Sequence, residues 1–96
     1  MLNSKILIID DEVELLEIVS EMLLPNYPEL KKVSDSDLAL ELLQTETFSL
    51  IITDVNMPKI PGQELVRILR CQGKLTPIIF ITGNANKEMV LTALRL

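Results

Sequence analysis

Apolar residues along this chain follow two spacings. Ile6-Leu7-Ile8-Ile9 and Leu50-Ile51-Ile52 are short continuous runs with the length and branching of strands buried on both faces, as in a parallel sheet. Between them Val13, Leu16, Val19 and Leu23 recur at helical spacing, with Leu15, Ile18 and Met22 widening the stripe. Glu14, Glu17, Ser20 and Glu21 take the opposite face. The pattern predicts a strand over 5–9 and a helix over 12–24, which Pro25 ends. A weak strand over 30–33 carries Lys31 and Lys32, as an edge strand tolerates. Ser34, Asp35, Ser36 and Asp37 then offer turn and cap chemistry for a second helix with Leu38, Ala39, Leu42 and Leu43 inward.

A third strand is predicted over 49–53. The loop over 56–62, with Pro58, Pro61 and Gly62, can be neither helical nor paired. Gly62 or Gln63 starts a third helix with Leu65, Val66, Ile68 and Leu69 on its buried stripe, and Gly73 closes it. The fourth strand, over 76–81, is entered through Pro77, where no ladder donor is lost. Thr82, Gly83 and Asn84 turn the chain, and Asn86 caps a last helix carrying Met89, Val90, Ala93, Leu94 and Leu96. With no repeats and no linker, the order β-α-β-α-β-α-β-α predicts one α/β domain over residues 1–96. Its sheet is parallel and doubly wound, with right-handed crossovers and helices on both faces. The last helix reaches Leu96 with neither a Gly cap nor a polar tail, the pattern expected of a cut chain.

Composition narrows the functions. Nearly half of the 96 residues are hydrophobic and only 3% are aromatic, so the core is aliphatic. A net charge of −5 argues against a nucleic-acid or anionic-membrane surface. No apolar run approaches the ~20 residues of a membrane span. The single cysteine, Cys71, can form no internal disulfide and fits a reducing cytoplasm. The chain has no histidine, which excludes Ser-His-Asp and Cys-His catalysis, histidine metal ligands and a phosphohistidine on this chain.

The candidate chemistry lies at the strand ends. Ligands of open α/β sheets bind beyond the carboxyl ends of the strands, and there the first strand ends in Asp10-Asp11 and the third in Asp54. Asp10 or Asp11 alone reads equally well as a helix cap, and Asp54 as a turn starter before Met57-Pro58. Together, on neighbouring strands, three carboxylates repel one another unless a cation or proton compensates them. A Mg²⁺ ion held by a few carboxylates and water is the expected partner. Asp54 is then a candidate nucleophile toward a phosphoryl group. The Thr82 hydroxyl can reach that group if the third and fourth strands are adjacent; otherwise it is a turn or cap residue. Met57 and Phe80 read as core, Lys59 as a solvated loop lysine, and Cys71 as an unactivated thiol.

Ile8-Ile9-Asp10-Asp11-Glu12, then Asp54-Val55-Asn56-Met57-Pro58 with Gly62, then Pro77-Ile78-Ile79-Phe80-Ile81-Thr82-Gly83 resemble the receiver domain of two-component response regulators. The resemblance implies a flavodoxin-like (CheY-like) sheet of order 2-1-3-4. It also implies a phosphoacceptor that catalyses only its own phosphorylation and dephosphorylation. Asp54 takes phosphate from a phosphohistidine on a sensor histidine kinase or phosphotransfer protein, Thr82 is the switch hydroxyl, and Asn56 tunes hydrolysis of the acyl phosphate. Asp10, Asp11, Asp54 and the Asn56 backbone carbonyl hold Mg²⁺.

Receivers continue into a fifth strand ending in Lys-Pro and a fifth helix, so the resemblance also implies that the active-site lysine, that strand and that helix are missing here. An apolar fourth strand is then expected to stand open at its edge, inviting a homodimer or strand exchange. This gives a rival reading, a degenerate receiver that works as a non-phosphorylated binding or assembly module through that edge. A phosphatase with an aspartyl nucleophile is disfavoured, because Asn56 stands where such an enzyme places its second acid.

Overall fold

The computed structural model describes residues 5–83 and 89–94, with side chains through Ile81. The elements are β1 (Lys5–Ile9), α1 (Val13–Leu23), β2 (Glu29–Val33), α2 (Ser36–Thr45), β3 (Leu50–Asp54), α3 (Gly62–Cys71), β4 (Ile78–Gly83) and β5 (Met89–Leu94). They form a five-stranded sheet of order β2-β1-β3-β4-β5. The first four strands are parallel in the predicted order 2-1-3-4. Ile8 lies opposite Ile52, and Asp54 opposite Ile81.

Alternation along the strands sorts side chains onto two faces. Leu7, Ile9, Ile51, Ile78 and Phe80 point to one side, where Ala39 and Leu43 of α2 and Leu65 and Leu69 of α3 close over them. Ile6, Ile8, Ile52 and Ile81 point to the other side, where Leu16 of α1 meets them. Local chemistry sets the helix ends. The Asp35 carboxylate caps α2 by accepting from the Asp37 N–H at 2.9 Å. Past α3, Gly73 adopts φ 77°, the Gly73 N–H donates to the Arg70 carbonyl and the Lys74 N–H to the Leu69 carbonyl. That Schellman geometry is why a glycine closes this helix.

The structure corrects the sequence reading in three places. Val13, Ile18 and Met22 of α1 and Leu38 of α2 are exposed rather than inward. Ser20 and Ser36 are buried instead, Ser20 donating to the Glu17 carbonyl and Ser36 accepting from the Ile60 N–H, so both hydroxyls are satisfied. The third correction is the largest. Met89–Leu94, expected in a helix, is a strand antiparallel to β4, with Ile81 opposite Leu91 and Thr82 opposite Val90. The β4 edge expected to stand open is therefore paired within the chain. An apolar strand with unpaired N–H and C=O groups rewards any segment that can supply a ladder, and this outweighs the modest helix preference of Met-Val-Leu-Thr-Ala-Leu.

Candidate functional site

The site stands where β1 and β3 run out. Each strand carries its acid past the last buried apolar residue, so parallel neighbours deliver their carboxylates to the same end of the sheet. One carboxylate oxygen from each of Asp10, Asp11 and Asp54 lies within 4.8 Å of the other two. Asp10 is 4% exposed, Asp54 is half-buried and Asp11 is exposed. The cluster thus has a dry floor and a wet mouth.

Two backbone amides shape it. Asp10 Oδ1 accepts from the Glu12 N–H at 2.9 Å, and Asp54 Oδ1 from the Asn56 N–H at 3.3 Å. The plain turn chemistry of both aspartates is real and coexists with their convergence. Asp11 makes no cap; Glu12 occupies the N-cap of α1, without a side-chain cap bond. Burial pushes the Asp10 carboxyl up to about 6, with the Glu12 N–H pulling the other way and Asp54, Asp11 and Glu12 adding repulsion. A buried carboxylate facing two other acids lacks positive charge. Oxygen donors crowded this way suit a hard divalent cation, and the residues present fit Mg²⁺.

No side-chain cation among the described residues supplies that charge. Lys59, the loop lysine nearest in sequence to Asp54, bridges Asp35 and Asp37 at 3.4 Å each. Lys5 and Lys31 pair with Glu46, Lys32 pairs with Glu17, and Lys74 donates to the Leu43 carbonyl. Of the other site residues, Asn56 is exposed and Thr82 lies in β4, one residue beyond the partner of Asp54. The Thr82 side chain falls outside the described residues.

Gly62 reads in the sequence as a loop end, a helix start and part of the family signature, and the structure packs it directly behind β3. A Cβ there would stand 2.6 Å from the Phe80 ring and 2.7 Å from the Asp54 carbonyl oxygen, and the Gly62 N–H donates to the Val55 carbonyl. The α3 N-terminus therefore presses on the backbone of Asp54. Met57 and Phe80 are buried in the core, as expected of them.

Known proteins resemble this chain in sequence and fold. The chain is 33% identical over 92 residues to the response regulator protein FleR of Pseudomonas aeruginosa, covering 96% of this chain and 20% of that protein. It is 32% identical over 94 residues to the chemotaxis protein CheY-3 of Vibrio cholerae, covering 95% and 72%. Among solved structures, the response regulator TrrA of Thermotoga maritima, in complex with Mg(2+)-BeF, superposes with a TM-score of 0.77 at 30% identity, over 86% of this chain and 72% of that one. The response regulator receiver domain profile matches residues 6–96. Strand order, the three convergent aspartates and this match agree: the chain belongs to the response regulator receiver domain family.

Proposed function

We propose that this receiver domain is a phosphoacceptor whose acceptor is Asp54, and that its phosphorylation switches protein–protein interactions. The observation that carries the reading is the convergence of Asp10, Asp11 and Asp54 within 4.8 Å at the carboxyl edge of the sheet. A carboxylate oxygen of Asp54 attacks phosphorus, and the P–N bond to a donor imidazole breaks. The electron pair goes to the imidazole nitrogen, which takes up a proton. The 96-residue sequence has no histidine, so that imidazole is assigned to a sensor histidine kinase or phosphotransfer protein.

Asp10, Asp11, Asp54 and the Asn56 carbonyl are the groups assigned to Mg²⁺, and the Mg(2+)-BeF complex of TrrA supports that assignment. When bound, the ion supplies the positive charge that the acids and a transferring phosphoryl group both need. Asp10 contributes a buried carboxylate held by the Glu12 N–H, and Asp54 keeps its orientation through the Asn56 N–H. Thr82 is assigned the switch hydroxyl. With the described lysines engaged elsewhere, transfer is expected to be slow.

Intact-mass measurement after treatment with acetyl phosphate and Mg²⁺ tests the reading. A Mg²⁺-dependent phosphate adduct on the wild type, absent from Asp54→Asn, is expected. A folded wild type that takes up no phosphate would sink it in favour of a non-phosphorylated binding module.

A further inference from the structure

The loop between β3 and α3 begins with Asn56 beside the acceptor, its N–H donated to Asp54 Oδ1 at 3.3 Å. The loop is partly held by its own contacts. The Gly62 N–H donates to the Val55 carbonyl at 2.9 Å, and Met57 is buried in the core. Pro58 and Pro61 stiffen the stretch between by fixing φ. Among the described residues, hydrogen bonds and ion pairs tie this loop to another element at one place, the start of α2.

Two contacts make that tie, and they differ in kind. Lys59 bridges Asp35 and Asp37 at 3.4 Å each, and all three side chains are exposed enough for water to screen the pairs. The Ile60 N–H donates to Ser36 Oγ at 3.0 Å, and Ser36 is 2% exposed. Serine at the start of a helix ordinarily serves as its cap. Here Asp35 takes the cap by accepting from the Asp37 N–H, and the Ser36 hydroxyl serves a backbone amide 24 residues away. Loss of that oxygen would strand the Ile60 N–H, so the serine contact is the firm one.

We infer that Ser36 is a positioning residue for the cation: by holding Ile60 it fixes where Asn56 stands, and so sets how well the acidic site takes Mg²⁺ relative to Ca²⁺. The inference rests on the assignment of Asp10, Asp11, Asp54 and the Asn56 carbonyl to the ion. Mg²⁺ is small and demands near-octahedral oxygens, whereas Ca²⁺ is larger and tolerates irregular sets. A loop carbonyl that drifts is therefore lost to Mg²⁺ and kept by Ca²⁺.

The full chain, isotope-labelled, is titrated with MgCl₂ and separately with CaCl₂, and the amide shifts of Asp10, Asp11 and Asn56 are followed. Ser36→Ala is expected to weaken Mg²⁺ binding about tenfold and Ca²⁺ binding less than about twofold. In the metal-free protein the same substitution should speed hydrogen exchange at Ile60 and Asn56 about tenfold and leave α1 unaltered. Ser20→Ala removes a similarly buried hydroxyl from α1 and controls for lost stability, so it should leave both affinities unchanged. Lys59→Met should keep Mg²⁺ affinity within about twofold of the wild type. Equal losses for the two ions in Ser36→Ala, no loss there, or the same Mg²⁺ loss in Ser20→Ala or Lys59→Met would overturn the inference and leave the acidic site standing. A wild type that binds neither ion would overturn both. If Ser36→Ala does not fold, exchange in the wild type decides: a protected Ile60 amide supports the latch, and one as open as a solvent-facing loop amide overturns it.

Discussion

The two faces of this sheet are built from the same kind of strand residue and finished differently. Leu7, Ile51, Ile78 and Phe80 lie under two helices, whose Leu43, Leu65 and Leu69 are almost completely removed from water. Ile52 and Ile81 share the opposite face with one helix, and that helix brings a single fully inward leucine, Leu16, while Ile18 and Met22 stay wet. A parallel sheet is stable with both faces covered. The first face meets that requirement within the chain, whereas the second leaves a groove. Among the described residues, one face is closed over by two helices and the other is partly open.

Truncation on the finished face should show the largest effect. Leu69→Ala is expected to cost about 3–4 kcal/mol in denaturant unfolding, because close packing prevents collapse of the cavity. Leu16→Ala should cost about 2 kcal/mol, because a site beside a groove relaxes. Equal costs would erase the contrast between the faces.

Gly62→Ala comes next, at about 2–3 kcal/mol, since the new methyl meets the Asp54 carbonyl, which as backbone cannot swing aside. A loss of phosphate uptake larger than the loss of folded protein would show that α3 positions the acceptor.

The seam between the faces gives a pH effect. The folded protein holds the Asp10 proton to about 6, against a usual value of 3.8. The Asp10 contribution to stability is thus full below about pH 4 and is lost as pH rises through 6, by at most roughly 3 kcal/mol for a shift of this size. Thermal unfolding of Asp10→Asn should lack this decline and give a higher Tm than wild type at pH 7. Added Mg²⁺ should restore the wild-type Tm at pH 7, by mass action, and do little at pH 4, where the site is protonated. A wild-type Tm flat across that range would remove the unbalanced charge from the account. The smallest effect belongs to the unfinished face: Met22→Ser should change stability by no more than about 0.5 kcal/mol.

Much of this was legible in the chain. Continuous apolar runs ending in Asp10-Asp11 and Asp54 located the first and third strands and the acidic edge, because a buried parallel strand tolerates no polar interruption; their order was implied by the family resemblance. Gly73 announced the end of α3 for a local reason, a positive φ. The inward and outward sides of α1 were not legible. Val13, Ile18 and Met22 fit a helical stripe as well as Leu16 does, and only the neighbours present decide which part of a broad stripe is covered. Ser20 read as surface and Ser36 as turn or cap chemistry until the fold buried both and gave their hydroxyls backbone partners.

The sequence alone determined the strand and helix nuclei and the identity of the acids, since each follows from local periodicity, while the order β2-β1-β3-β4 was implied by the family resemblance. The tertiary structure decided that Asp10 is the buried acid, that Gly62 braces Asp54, and that Met89–Leu94 is a strand. These are outcomes of proximity between residues far apart in the chain. A segment with balanced local preferences takes whichever form satisfies the hydrogen bonds its neighbours leave open.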